Sequence, residues 1–317
     1  MAGVDFDVAV IVPSYRSDRG HLDACCEAVE VAVQHAPGAT FQLLLVDDGC
    51  PLGTARDVAD ARSGWTYLNQ ENAGLSAARN LGILRARATY LHFLDDDDSV
   101  DPHFYHHLLS AVKKAPDTAL CYGNWRYFTD DAERLHRAPA PDVLRTWLIS
   151  GNCFPVNAVV VSAALVKRLG GFDTGLRAME DWDVWLRCIR ASAIACQVPD
   201  AVAEVRIQAH SMSTAQPHMH GWMCVVCERE SAHLTEWQGL GADIDRFAAA
   251  WGLYALRSDR KREAFLVWWK WGAHRWGWRW WSRAIPVVLR AWVQKNRSPH
   301  ATLSADGEHR DRELPMQ

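Results

Sequence analysis

The sequence predicts an open α/β fold with a mostly parallel central sheet, helices on both faces and a helical C-terminal appendage. Three observations lead there. Short apolar runs alternate with helical segments through the first hundred residues. Each run is apolar throughout rather than alternating, as strands buried on both faces are. Polar residues collect just after the C-terminal end of each run, at Ser14-Tyr15-Arg16, Asp47-Asp48-Gly49 and Asp95 to Asp98. That rim is where open α/β sheets bind ligands.

The elements follow in order. Val8 to Val12 is a buried-strand run ended by Pro13. A helix from about His21 to His35 stops at Pro37-Gly38. Phe41 to Val46 is the second strand, and a short helix over Thr54 to Ala61 leads to the third, Trp65 to Leu68. Asn72-Ala73-Gly74 opens a helix from Leu75 to about Arg87, and Thr89 to Leu94 is the fourth strand. Beyond it the pattern is less regular. Helices are predicted over Pro102 to Ala115 and Asp142 to Ile149, and strands over Ala119 to Tyr122 and Val156 to Val161. A helix from Ala163 ends at Gly170-Gly171, and another over Trp182 to Ala191 is capped by Glu180-Asp181. Ile194 to Val198 and Val202 to Ile207 read as two further strands, and from His218 onward the pattern is helical. The polar stretch 298–317 reads as a disordered tail.

Length and composition suit a globular chain with one large domain and an appendage. The nine cysteines have no framework spacing, and several sit in apolar runs, as reduced core cysteines do. No basic leader and no run of 18 uncharged apolar residues is present, so a cytoplasmic location is expected. Charge is uneven. Between Arg257 and Arg297, 11 Lys/Arg face two acids, +9 in a chain whose total is −4, which leaves −13 elsewhere.

The chemistry gathers on carboxylates. There is no Gly-x-x-x-x-Gly-Lys-Ser/Thr loop, and no Gly-x-Gly-x-x-Gly follows a strand, so neither a P-loop enzyme nor a nicotinamide enzyme is indicated. Instead, Asp95-Asp96-Asp97-Asp98 follow the strand run Tyr90 to Leu94. Four like charges at one strand end call for a cation, and a hard divalent ion with oxygen ligands fits. The competing reading is an acidic loop that caps the next helix. Asp47 or Asp48 stands where an acid can accept hydrogen bonds from a base or ribose. Arg79 is placed to reach a phosphate or orient a carboxylate, or else to form a surface ion pair.

Together these segments carry a resemblance. Val10-Ile11-Val12-Pro13-Ser14-Tyr15-Arg16, Val46-Asp47-Asp48-Gly49, Asn72 to Gly82 and Phe93 to Asp98 resemble the family 2 glycosyltransferases of the GT-A fold. Gly171-Phe172-Asp173, Glu180 to Arg187 and His210-Ser211-Met212-Ser213 continue the likeness in the same order, so it covers roughly residues 7 to 215. The resemblance implies a GT-A catalytic domain over 1–215, with the helical region at 216–297. It implies an inverting transfer of a sugar from a UDP- or dTDP-type nucleotide-diphosphate donor to a hydroxyl of a glycan or lipid-linked acceptor, with Mn²⁺ or Mg²⁺ as cofactor, in surface polysaccharide synthesis. On that likeness Pro13, Tyr15, Asp47 and Asp48 line the nucleoside pocket, and Arg79, Asp95 and Asp96 serve the donor. Asp97 and Asp95 hold the metal, Asp97 as the direct ligand, and His210 approaches it. Asp96 is an extra acid where the family has a non-acidic residue.

Asp181 matches the family's catalytic base. A sugar hydroxyl is a poor nucleophile, and a carboxylate within hydrogen-bond reach removes its proton as it attacks. Helix capping explains the same residue structurally, and the two roles are compatible. Trp125, Asn152, Glu180 and Trp182 are placed at the acceptor, although Trp182 and Trp185, three apart on one helix, also read as core. Cys224-Val225-Val226-Cys227 resembles half a zinc site without its other half. Two alternative functions are a sugar nucleotidyltransferase and a non-catalytic nucleotide-sugar-binding or assembly protein. The missing glycine-rich phosphate loop opposes the first, and retention of both acidic sets opposes the second.

Nine of the 16 tryptophans lie from Trp251 onward. Arg275, Arg279 and Arg283 share one helix face, and Pro286 should kink that helix. Trp with Arg suits a membrane interface, so peripheral attachment through 257–297 at the cytoplasmic face is the favoured role. Packing onto the catalytic domain, or onto a second subunit in a homo-oligomer, is the next. Nucleic-acid binding ranks last, given the acidic body and the lack of a binding motif.

Overall fold

The computed structural model describes residues 5–129, 132–207, 216–258 and 260–268. The sheet begins as anticipated. Strands β1 (Phe6–Ser14), β2 (Phe41–Asp47), β3 (Trp65–Asn69) and β4 (Ala88–Phe93) are mutually parallel in the order β3-β2-β1-β4. Val8 to Val12 and Leu44 to Val46 are fully buried, as continuous apolar strands between two helical layers must be.

The rest of the sheet is mixed. β6 (Leu120–Phe128) carries β7 (Glu133–His136) on one part of its edge and is antiparallel to it. β8 (Val159–Ser162) lies antiparallel between β4 and β6. β9 (Ala195–Arg206) runs parallel to β6, and the two-residue β5 (Ser99–Val100) closes the order against β9. Two strands were expected over 194–207, yet one continuous strand forms. Pro199 interrupts the pairing without ending the strand, because the partner register jumps from Gly123↔Val198 to Asn124↔Val202. The Asn124 side chain bridges the irregularity by donating to the Pro199 carbonyl at 2.8 Å.

On one face α1 (Arg19–Gln34) contacts α2 (Thr54–Asp60) and α4 (Phe104–Lys114). On the other lie α3 (Leu75–Arg85), α6 (Ala163–Arg168) and α7 (Glu180–Arg190), with α5 (Leu144–Ser150) against α7. α1 starts at Arg19 because Asp18 caps it, accepting from the His21 N–H at 3.1 Å. α7 begins two residues earlier than expected. Met179, in the left-handed region at φ 64°, is its cap, so Glu180 and Asp181 are its first helical residues.

The C-terminal helices α8 (Gln216–Glu230), α9 (Leu234–Gly239), α10 (Ile244–Arg257) and α11 (Lys261–Trp268) pack on this body. Arg229 reaches Asp173 at 2.6 Å, and Arg190 reaches Glu230 at 3.3 Å. Trp251 is buried and donates to Glu263, so the first of the nine C-terminal tryptophans is packed inside. The remaining tryptophans expected at a membrane lie at 268 or beyond, outside the described side chains. No described helix is long and apolar enough to cross a membrane. All nine cysteines are unpaired. Cys224 and Cys227 are buried, and among the described residues no cluster of three His, Cys, Asp or Glu is arranged to hold a metal.

Helix α3 approaches the sheet closely at Gly82, where a Cβ would stand 2.4 Å from the Ile11 side chain. Gly82→Ala should therefore overpack the α3–β1 contact and cost about 1–3 kcal/mol in urea unfolding. Adding Ile11→Val should recover part of that loss, since the two sites share the contact.

Candidate active site

The rim forms where the parallel strands end. Ser14 and Asp47 are paired at the last register of β1 and β2, and the Asp48 N–H bonds to the Ser14 carbonyl. Gly49 turns away with φ 75°, and a Cβ there would meet the Asn72 nitrogen at 2.7 Å. Asp47 accepts from the Cys50 N–H and the Tyr67 hydroxyl, both at 2.8 Å. Asp48 accepts from Gln70, from the Ala73 N–H and from the Gly74 N–H at 2.7–2.9 Å. At 3% exposed, Asp48 is turned into the 70–74 loop that launches α3, so its carboxylate is an anchor for that loop. Tyr15 stands exposed beside these groups, and Pro13 is buried within β1.

The four acids after β4 divide by direction. Asp96 accepts from the Ser17 hydroxyl, which pairs with Ser14 at 2.7 Å, and so ties the acidic loop to the loop after β1. Asp98 is buried and accepts from Asn157 at 3.1 Å and from the Arg206 N–H at 2.8 Å. Asp95 and Asp97, with Asp98, line a cleft of about 1000 Å³. Burial and mutual repulsion push the Asp96, Asp97 and Asp98 carboxyls above the usual range, Asp96 to about 7.

Arg79 lies beneath this cleft, 1% exposed. One arm donates to Asp95 at 2.6 Å and the other to Glu180 at 2.6 Å, and the guanidinium lies over the Phe172 ring at 5.2 Å. A surface ion pair is thereby ruled out: Arg79 is a buried bridge between the end of β4 and the start of α7. Glu180 lines the cleft, but its Oε1 is held by Arg79.

Asp181 also lines the cleft. Its Oδ1 accepts from the Trp182 N–H at 2.7 Å and its Oδ2 from Asn152 at 2.8 Å. The start of a helix favours an anion, yet burial and the neighbouring Glu180 outweigh that and raise the Asp181 carboxyl to about 7. Trp182 is a correction. It is fully buried and donates to the Leu148 carbonyl at 2.6 Å, so it supports α5 rather than touching an acceptor. His210 lies outside the described residues.

On the opposite wall the sequence reading had singled out Trp125 alone. Trp125 stacks on His136 with centroids 5.6 Å apart, and Tyr127 abuts them. Arg246 covers Trp147 at 4.4 Å. Met219 and Met223 of α8 and Tyr254 of α10 complete the lining. Local pattern carried no signal for these, because the C-terminal helices reach the cleft only through tertiary packing. Together the walls offer an acidic floor, a carboxylate that can exchange a proton near neutral pH, and an aromatic side suited to stacking on a ring.

With this geometry in place, comparison with known proteins gives consistent findings. Residues 9–155 match the family model described as Glycosyl transferase family 2. An uncharacterised glycosyltransferase of Haemophilus influenzae is 22% identical over 192 residues, 58% of this chain and 62% of its own length. The uncharacterised glycosyltransferase YibD of Escherichia coli is 28% identical over 148 residues, 45% of this chain and 41% of its own. The uncharacterised protein y4gI of Sinorhizobium fredii is 27% identical over 190 residues, only 20% of its length. The chain thus spans from one fifth to about three fifths of these curated relatives. In structure it is similar to Staphylococcus aureus TarS 1–349, solved with UDP-GlcNAc, at TM-score 0.59 and 13% identity over 90% of this chain and 81% of that one. It is also similar to the mannosyltransferase PcManGT of Pyrobaculum calidifontis, solved with GDP-Man and Mn²⁺, at TM-score 0.54 and 16% identity over 94% and 90% of the two chains. These likenesses establish the GT-A fold.

Two outcomes follow from the charges. Arg79→Met leaves two carboxylates without their cation and should cost about 3–5 kcal/mol in chemical denaturation, toward the lower end because Asp95 is partly solvated. Arg79→Lys should recover only part, since one ammonium cannot span both partners. The Asp181 carboxyl sits above its unfolded value of 3.8, so its ionisation opposes folding. Without added metal, its contribution to stability should therefore fall as pH rises from about 4 to about 7, and Asp181→Asn should flatten that stretch of the Tm–pH curve.

Proposed function

We propose that the chain, whose residues 9–155 match the family 2 model, belongs to glycosyl transferase family 2 and moves a sugar from a nucleotide-diphosphate donor to a hydroxyl of a glycan or lipid-linked acceptor, inverting the anomeric carbon. The observation that carries this is the convergence in one cleft of the Asp95/Asp97 floor, the Arg79 bridge and Asp181. The donor's nucleoside lies along the rim at Pro13, Tyr15 and Asp47, with Asp48 holding the 70–74 loop beside it, and the acceptor enters against the Trp125–His136 stack. The aromatic and methionine lining supports an acceptor with apolar ring faces or a lipid carrier.

The acidic loop fits a hard divalent cation, Mn²⁺ or Mg²⁺. Its donors are carboxylate oxygens, and three of its four acids are held above the usual range by burial and crowding, a state that a cation relieves. Asp97 and Asp95 would hold it, while Asp96 and Asp98 are directed toward Ser17 and toward Asn157 and Arg206. When bound, the cation would offset charge on the departing diphosphate.

The chain's own groups supply the remainder. Arg79 holds the Asp95 Oδ1, and so fixes which side of that carboxylate faces the cleft. Asp181 takes the proton of the acceptor hydroxyl on an oxygen that, beyond its one bond from Trp182 or Asn152, keeps a lone pair for the purpose. Attack from the side opposite the diphosphate then inverts the centre without a covalent enzyme intermediate. Ser17, Asp96 and Ser14 tie the donor loop to the acidic loop, which keeps the two ends of the donor site in register.

Screening nucleotide sugars by thermal shift with Mn²⁺ or Mg²⁺ identifies the donor, and a stabilised donor should then be turned over. Asp181→Asn should keep donor affinity while lowering kcat by about 10²–10⁴-fold, the usual contribution of a general base; parallel loss of donor affinity would remove Asp181 from that role. Asp97→Ala should abolish the metal dependence of donor binding in calorimetry. In the wild type, kcat should fall as pH drops through about 7, because protonated Asp181 accepts no further proton.

A further inference from the structure

We propose that Asn152 positions Asp181 for proton transfer and that Tyr254 of α10 holds Asn152 in place, so that the C-terminal helices form part of the catalytic centre. The proposal deepens, and rests on, the reading of Asp181 as the base.

Asn152 belongs to no helix or strand. It follows α5 by way of Gly151, and its Nδ2 donates to the Asp181 Oδ2 at 2.8 Å. The amide's orientation is dictated by its partner, since an ionised carboxylate only accepts and must face the NH₂ group. The Asn152 Oδ1 is therefore directed away from Asp181. That oxygen is buried and has no hydrogen-bond partner among the described residues. Buried carbonyl oxygens are seldom left unpaired.

A residue on an irregular segment needs outside support to keep a catalytic group within a few tenths of an ångström. α10 supplies it. The Tyr254 hydroxyl donates to the Ser150 carbonyl at 2.6 Å, two residues before Asn152. A Cβ on Gly151 would stand 2.7 Å from the Tyr254 oxygen, so α10 approaches this segment as closely as glycine permits. At the other end of α5, the Asp243 N–H bonds to the Thr146 hydroxyl at 3.2 Å. Trp182, adjacent to Asp181, donates to the Leu148 carbonyl and meets the Tyr254 ring edge-on at 6.4 Å. The end of α5 is thus gripped by α10 and by the residue next to the base.

The charged groups that act on Asp181 are Glu180 on its own helix and Arg79 from α3; Cys153 and Tyr127 are the other titratable groups that feel its charge. Asn152 opposes Glu180 by favouring the ionised carboxylate, as Arg79 does.

The test is the titration of Asp181 by carbon-13 NMR of labelled aspartate carboxyls in the full chain, with its resonance assigned by its loss in Asp181→Asn. Asn152→Ala should raise the proton affinity of Asp181 tenfold or more, the size expected for losing a hydrogen bond to a charged group. Asn152→Asp keeps the shape but adds a like charge and no donor, and should raise it further; a space-filling role predicts wild-type behaviour there. Tyr254→Phe, which keeps the ring, should raise it about two- to fivefold, in line with one neutral hydrogen bond. On whichever donor is turned over, with UDP-GlcNAc and GDP-mannose as first probes, kcat should fall in all three variants with the donor KM unchanged. An unmoved titration in both Asn152 variants overturns the proposal, and an unmoved titration in Tyr254→Phe removes α10 from it. If no nucleotide sugar is turned over by the wild type, the transferase reading fails, while the titration still decides the coupling.

Discussion

One buried guanidinium holds the cleft together. Arg79 comes from a helix on one side of the sheet and joins Asp95, at the end of a central strand, to Glu180, at the start of α7. Its two partners lie 16 and 101 residues away in sequence. A buried ion pair is weak evidence for stability, because desolvation offsets much of the attraction. Its value here is geometric. Two rigid arms in one plane set the spacing between the acidic floor and the helix that carries Asp181. Around it, four carboxylates are held close in a poorly hydrated site, and three of them are shifted upward as a result.

The same site uses a residue in a strained backbone region. Met179 adopts a left-handed conformation that a non-glycine residue takes at a cost of about 1–3 kcal/mol. It brings the chain into α7 so that Glu180 and Asp181 occupy its first turn, one meeting Arg79 and the other Asn152. Trp182 and Trp185 then fill the interior and fix the helix against α5 and the sheet. The rigidity of Asp181 therefore comes from core packing directly behind it.

The helical region after residue 216 is more than an appendage. It supplies Met219, Met223, Arg246 and Tyr254 to the cleft and binds the body through Arg229–Asp173 and Arg190–Glu230.

The first four strands, the helices between them and the acidic rim were legible in the sequence, because continuous apolar runs and polar strand ends are local signals. Asp95, Asp97 and Asp181, singled out through motifs whose order along the chain carries the family likeness, line one cleft. Tertiary structure alone decided the rest. It joined β9 across Pro199 and placed β8 antiparallel, since pairing partners are set by contacts far apart in sequence. It turned Asp48 into a loop anchor and buried Trp182, because a residue type does not specify the direction in which its side chain points. It also assigned the four aspartates to different neighbours and brought Asn152 and Tyr254 up behind Asp181. A run of identical acids looks uniform in sequence, and only the groups that surround each one give it a separate role.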